Sequence, residues 1–112
     1  MAPTDADRAI ADALVDRLAK VFDVQRAIWF GSRAKGEGTV DSDWDLLVVA
    51  LSELEPFARV TAALRATRDL HVSRDVFVAT PDEFAQTRDV CGTVAYAATR
   101  QGLVLRGNEC VG

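Results

Sequence analysis

Apolar residues recur every four positions at Ile10, Leu14, Leu18 and Phe22, with Ala13 and Val21 beside them. That spacing lines one face of a helix. Thr4 precedes it as an N-cap, and Asp5 and Asp7 stand in the first turn, where they favour the helix dipole. A helix from Thr4 to Phe22 is predicted. The run from Arg26 to Phe30 is short, apolar and stopped by Gly31, and predicts a buried strand. Gly31 to Ser42 holds three glycines among polar residues and reads as a loop, with a helical turn near Arg33 to Lys35. Trp44 to Ala50 is the most apolar stretch and predicts a central strand. Ser52 and Glu55 fit a capping box and Pro56 a first helical turn, with Phe57, Val60 and Leu64 as the apolar face of a helix over Glu53 to Arg68. Asp75 to Ala79 predicts a third strand. Thr80, Pro81 and Glu83 form a second capping box. The helical pattern behind it runs through Val90, Val94 and Ala97, with a break near Asp89 and a stop at Gly102. Leu103 to Leu105 closes as a short strand.

The order is helix, strand, strand, helix, strand, helix, strand. The first two strands meet through a loop with no crossover helix. That favours an α+β fold, a mixed β-sheet flanked by helices, over a doubly wound parallel sheet.

With 112 residues the chain reads as one domain over 1–112. At 49% hydrophobic and 27% charged it has the composition of a folded globule. No apolar run approaches the roughly 20 residues of a membrane span, and the start lacks the basic flank and apolar core of a secretory signal. Cys91 and Cys110 are too few for a disulfide scaffold. A cytoplasmic protein with free thiols is expected. Cys91 is expected to pack in the last helix and Cys110 to lie in a frayed tail. The net charge of −4 disfavours general nucleic-acid binding, which needs clustered Lys and Arg. It does not exclude a nucleotide held through cations on carboxylates. A chain this short also leaves little surface for a second substrate pocket, which points to a partner.

Three features stand together. Gly31-Ser32 ends one strand, Asp43-Trp44-Asp45 opens the next, and Asp75 opens a third. Side chains alternate along a strand, so Asp43 and Asp45 share a face, about 7 Å apart along it. Trp44, Leu46 and Val48 face the core. If the third strand neighbours the second, three carboxylates converge. Such a cluster repels itself without a cation. Mg²⁺ suits it, because it takes carboxylate oxygen and keeps phosphates as further ligands. Two ions about 3.5–4 Å apart clamp an in-line nucleotidyl displacement. Gly31 permits close backbone approach to a phosphate, Ser32 can donate to it, and Arg33 adds a fork suited to phosphate oxygens. Taken singly, each element is most often a plain surface feature; jointly they interrupt the entry to the most apolar strand, as functional sites do. His71, the only histidine, lies in a polar lead-in and reads as solvated rather than catalytic.

The stretch Gly31-Ser32-Arg33-Ala34, followed by Ser42-Asp43-Trp44-Asp45-Leu46, resembles the minimal nucleotidyltransferases of the polymerase-beta-like superfamily, often encoded as antitoxins beside a HEPN-domain toxin. The resemblance implies a nucleotidyltransferase fold and transfer of AMP from ATP to a hydroxyl, with a toxin tyrosine as acceptor in the antitoxin branch. It implies that Gly31 and Ser32 contact the triphosphate, that Asp43 and Asp45 hold two Mg²⁺ ions, and that Asp75 shares a metal and assists deprotonation. Trp44 is bulkier than the residue commonly found between the two acids and bears on packing. An extra helical acceptor domain, present in many members, is not expected here. That favours a macromolecular acceptor and a hetero-oligomer. Two alternatives stand beside this reading: a catalytically silent antitoxin that neutralises by contact, and an antibiotic-type transferase acting on a small molecule.

Overall fold

The computed structural model describes residues 2–107. Helix α1 spans Asp5–Leu18, and the Thr4 hydroxyl caps it by accepting from the Asp7 N–H at 3.1 Å. It ends four residues before the predicted Phe22, which stays buried in the turn that follows. Strands β1 (Asp23–Phe30) and β2 (Trp44–Leu51) pair antiparallel, as a loop without a crossover helix requires. Helix α2 (Pro56–Ala66) and a 3-10 turn (Arg68–Leu70) then cross over to β3 (Arg74–Ala79), which pairs parallel with β2. The sheet order is β3-β2-β1-β4, with β4 (Leu103–Arg106) antiparallel to β1. The mixed sheet flanked by helices is the expected α+β fold.

Alternation along β2 divides the core in two. Trp44, Leu46, Val48 and Ala50 pack with Leu14, Val15 and Leu18 of α1 and Ala63 of α2. Leu47 and Val49 pack on the other face, with Phe84 of α3 (Pro81–Thr87) and Ala95 and Ala98 of α4 (Val94–Gln101). The Thr80–Glu83 capping box is present, and Thr93 caps α4 after the expected break. Gly102 sits in extended backbone rather than a left-handed stop; a Cβ there would fall 2.3 Å from Ile28 Cγ2.

Two expectations about α2 are corrected. Glu55, not Ser52, is its N-cap and makes no side-chain bond; the Ser52 hydroxyl accepts from the Leu54 N–H instead. The stripe of Phe57, Val60 and Leu64 is exposed, with Phe57 at 80%. The sheet is met by Ala63 and by Arg59, only 4% exposed. Its guanidinium donates to the carbonyls of Leu54 and Val78 and to the Glu83 carboxylate, at 2.6 Å for the shortest contact. A buried charge is tolerated when all three of its nitrogens are engaged in this way. Cys91 is exposed between α3 and α4 rather than packed in a helix, and Cys110 lies outside the described residues.

Candidate active site

Asp43 precedes β2 and Asp45 lies within it, so both side chains leave the face that carries Leu47. The parallel register sets Asp75 opposite Asp45. Strand pairing therefore brings the third acid to the same face at the same height. One carboxylate oxygen from each of Asp43, Asp45 and Asp75 lies within 4.8 Å of the others. Asp43 and Asp45 are half-buried and Asp75 is exposed. Burial, then the charges of Asp75 and Asp43, push the Asp45 carboxyl up from 3.8 to about 6. Ser73, which no motif or spacing singles out, donates its hydroxyl to Asp43 Oδ1 and fixes that carboxylate.

The bend after β1 is built against this cluster. Phe30 pairs with Asp45, and Gly31 follows it with φ +85°. A Cβ at Gly31 would fall 2.2 Å from Asp45 Oδ2. Glycine is thus required twice, by the backbone angle and by the carboxylate. Ser32 is exposed beside it. Its carbonyl accepts from the N–H of Glu37 at 2.9 Å, closing the turn.

Arg33 departs from its expected role as a phosphate fork. It is 8% exposed and turned inward. Its Nη1 donates to both carboxylate oxygens of Asp7 at 3.0 Å, its Nε to the Ser42 carbonyl at 2.7 Å and its Nη2 to the Val40 carbonyl at 3.2 Å. Its plane lies 3.8 Å from the Trp44 ring centroid. Donors committed in this way hold the loop and α1 together rather than a ligand. Trp44 faces away from the acids, as expected, and its indole N–H donates to the Asp7 carbonyl. His71 is exposed and caps the end of the 3-10 turn.

Three clustered carboxylate donors, one of them held above its ordinary value, fit a divalent cation such as Mg²⁺, which offsets their mutual repulsion. With a glycine bend for phosphate on one side, the arrangement can place a nucleotide's phosphates against an attacking hydroxyl.

Solved structures share this fold. A candidate nucleotidyltransferase from Sulfolobus solfataricus superposes with a TM-score of 0.58 at 22% identity, over 90% of this chain and 80% of its own. The MntA–HepT toxin–antitoxin structure gives 0.61 at 19% identity, over 91% and 74%. A toxin–antitoxin structure with AMP-PNP gives 0.59 at 19%, over 88% and 74%. At these identities the likeness is one of fold. No curated protein has a significantly similar sequence. Residues 12–105 match the family described as polymerase beta, nucleotidyltransferase, and because that match spans most of a chain whose acids and glycine bend converge, the protein belongs to the polymerase-beta-type nucleotidyltransferases.

Proposed function

We propose that the chain, acting as a single nucleotidyltransferase unit, moves AMP from ATP to a tyrosine hydroxyl of a cognate HEPN-type toxin and so serves as its antitoxin. The observation that carries the reading is the convergence of Asp43, Asp45 and Asp75 beside the Gly31-Ser32 bend. The resemblance of the motif to antitoxin nucleotidyltransferases and the likeness of the fold to toxin–antitoxin complexes support the partner. A complex with AMP-PNP supports an adenine nucleotide. No helix among the described residues is long and apolar enough to cross a membrane; a cytoplasmic hetero-oligomer with the toxin is part of the same proposal.

Gly31 and Ser32 receive the triphosphate: the glycine lets the backbone approach, and the serine offers a hydroxyl and an N–H to phosphate oxygen. Asp43 and Asp45, with Asp75 sharing, would hold two Mg²⁺ ions, which when bound neutralise phosphate charge and acidify the attacking hydroxyl. The acceptor oxygen bonds to the α-phosphorus, and the bond from that phosphorus to the oxygen bridging to the β-phosphate breaks. Pyrophosphate leaves. The hydroxyl proton passes to the Asp75 carboxylate and then to water.

Incubation with labelled ATP, Mg²⁺ and the toxin encoded beside it tests this. Label should pass to the toxin and be lost with Asp43→Ala or Asp45→Ala. Neutralisation that survives those substitutions with no label would assign the chain to binding alone. Transfer to an aminoglycoside instead would assign it to small-molecule chemistry.

A further inference from the structure

In-line displacement sets the attacking oxygen opposite the leaving pyrophosphate. On this sheet that axis has a direction. The glycine bend follows β1, Asp43 and Asp45 stand at the entry to β2, and Asp75 stands on β3. With the triphosphate seated at that bend as proposed, pyrophosphate would leave over β1, the reacting phosphorus would lie over β2, and the acceptor would arrive over β3, the edge of the sheet. The next residue of β3 on the acids' face after Asp75 is Phe77, set by the register opposite Leu47. Its neighbours Val76 and Val78 are buried, yet Phe77 is 38% exposed. Its ring lies 6.2 Å from that of Phe30, inclined at 40°. Helices α3 and α4 cover this face farther along, around Val49, Ala79 and Phe84, and the two rings form a shelf beneath the acids, half-buried at Phe30 and exposed at Phe77.

Resting on the proposed transfer to a tyrosine, we infer that Phe77 receives the phenol ring of the acceptor and sets its hydroxyl at Asp75. A ring laid over Phe77 directs its para substituent along β3 to the next same-face position, which Asp75 occupies about 7 Å away. Phe30 closes the inner side of the shelf, so the ring enters from the sheet edge. Offset and tilted aromatic pairs at such separations are favourable, and aliphatic side chains do not reproduce them. Phe77 is therefore a specificity-determining residue that favours tyrosine over serine or threonine.

The test compares steady-state transfer by the full-length chain and its Phe77→Leu and Phe77→Trp variants. Phe77→Leu should raise KM for the toxin about tenfold, the factor expected of one lost aromatic pair. It should leave KM for ATP unchanged, and Phe77→Trp should restore most of the loss. A KM change confined to ATP would make the shelf a nucleobase platform and overturn the inference, as would unaltered toxin kinetics. A second readout needs no variant: p-cresol should inhibit the unaltered protein competitively against the toxin and not against ATP. Competition against ATP, or none, overturns the inference. If the unaltered protein labels no toxin, the proposed function itself fails; if it labels toxin and Phe77→Leu labels it equally well, only the role of Phe77 falls.

Discussion

Asp45 is the residue on which the site's electrostatics turn. Its carboxyl is raised to about 6, first by burial and then by Asp75 and Asp43. A raised acid binds its proton more tightly in the folded chain than in the unfolded one, so stability falls as pH climbs from about 3.8 to about 6 and then levels. Asp45→Asn removes that dependence. Without divalent cation the variant should match the parent near pH 4 and exceed it above pH 6, by about 1 kcal/mol once solvent screening of a half-exposed group is allowed for. Saturating Mg²⁺ should stabilise the parent and not the variant. Melting curves across pH with EDTA and with Mg²⁺ check both signs; equal melting of the two proteins at pH 7 in EDTA would show that the three charges do not repel as placed. Asp43 and Asp45 were legible in the sequence because strand alternation fixes which face they leave. Asp75 needed one further fact, the parallel neighbour relation of β2 and β3, which the crossover through α2 made the natural choice. Ser73 carried no signal, since a serine two residues before an acid is ordinary until the fold brings Asp43 to it.

At the level of elements, strands and caps were more legible than helix faces. The antiparallel β1–β2 pair followed from a loop without a crossover, and the Thr80 box is present with both of its bonds. Helix α2 was misread because the apolar spacing of Phe57, Val60 and Leu64 outweighs a single arginine in any periodicity argument. Arg59 lies inward because Glu83, 24 positions later, waits across the sheet edge; that pairing is tertiary and leaves no local trace. Glu83 therefore serves two elements, capping α3 through the Thr80 N–H and neutralising α2's buried charge. Glu83→Ala should cost about 2–4 kcal/mol, the sum of a lost cap and of a charged hydrogen bond to a buried guanidinium. Glu83→Gln, which keeps the cap, should cost about half as much. The Arg59 guanidinium holds the Glu83 carboxyl below its ordinary 4.5. The pair's contribution is thus present above that value and lost as pH falls through the lower folded one. Denaturant midpoints at pH 7 and pH 3 should show the Glu83→Ala deficit shrinking in acid; a deficit independent of pH would assign it to the cap alone.

Across the whole molecule, the face that carries the three acids is held from behind. Asp7 in the first turn of α1 accepts the Trp44 indole N–H on its carbonyl and the Arg33 guanidinium on its carboxylate. Trp44 lies between Asp43 and Asp45, and Arg33 two residues past the glycine bend, so one turn of α1 positions both halves of the candidate site from the opposite side of the sheet. Spacing within the motif cannot show this, because Asp7 stands 26 positions before its arginine. It also explains how an arginine in a phosphate-loop motif serves without touching phosphate. Lysine keeps the charge but cannot donate at once to Asp7, to Ser42 and to Val40. Arg33→Lys should therefore lower the melting temperature of the nucleotide-free protein by several degrees, on the scale of roughly 4–8 °C per kcal/mol for a small domain. Asp7→Asn should do the same, and the double variant should cost less than the sum, since both break one contact. Transfer should slow in all three as the bend loses its place against Asp45. Were Arg33 a phosphate ligand, Arg33→Lys would leave the nucleotide-free melting temperature untouched and weaken ATP binding alone, so calorimetry with and without MgATP separates the clamp from the ligand.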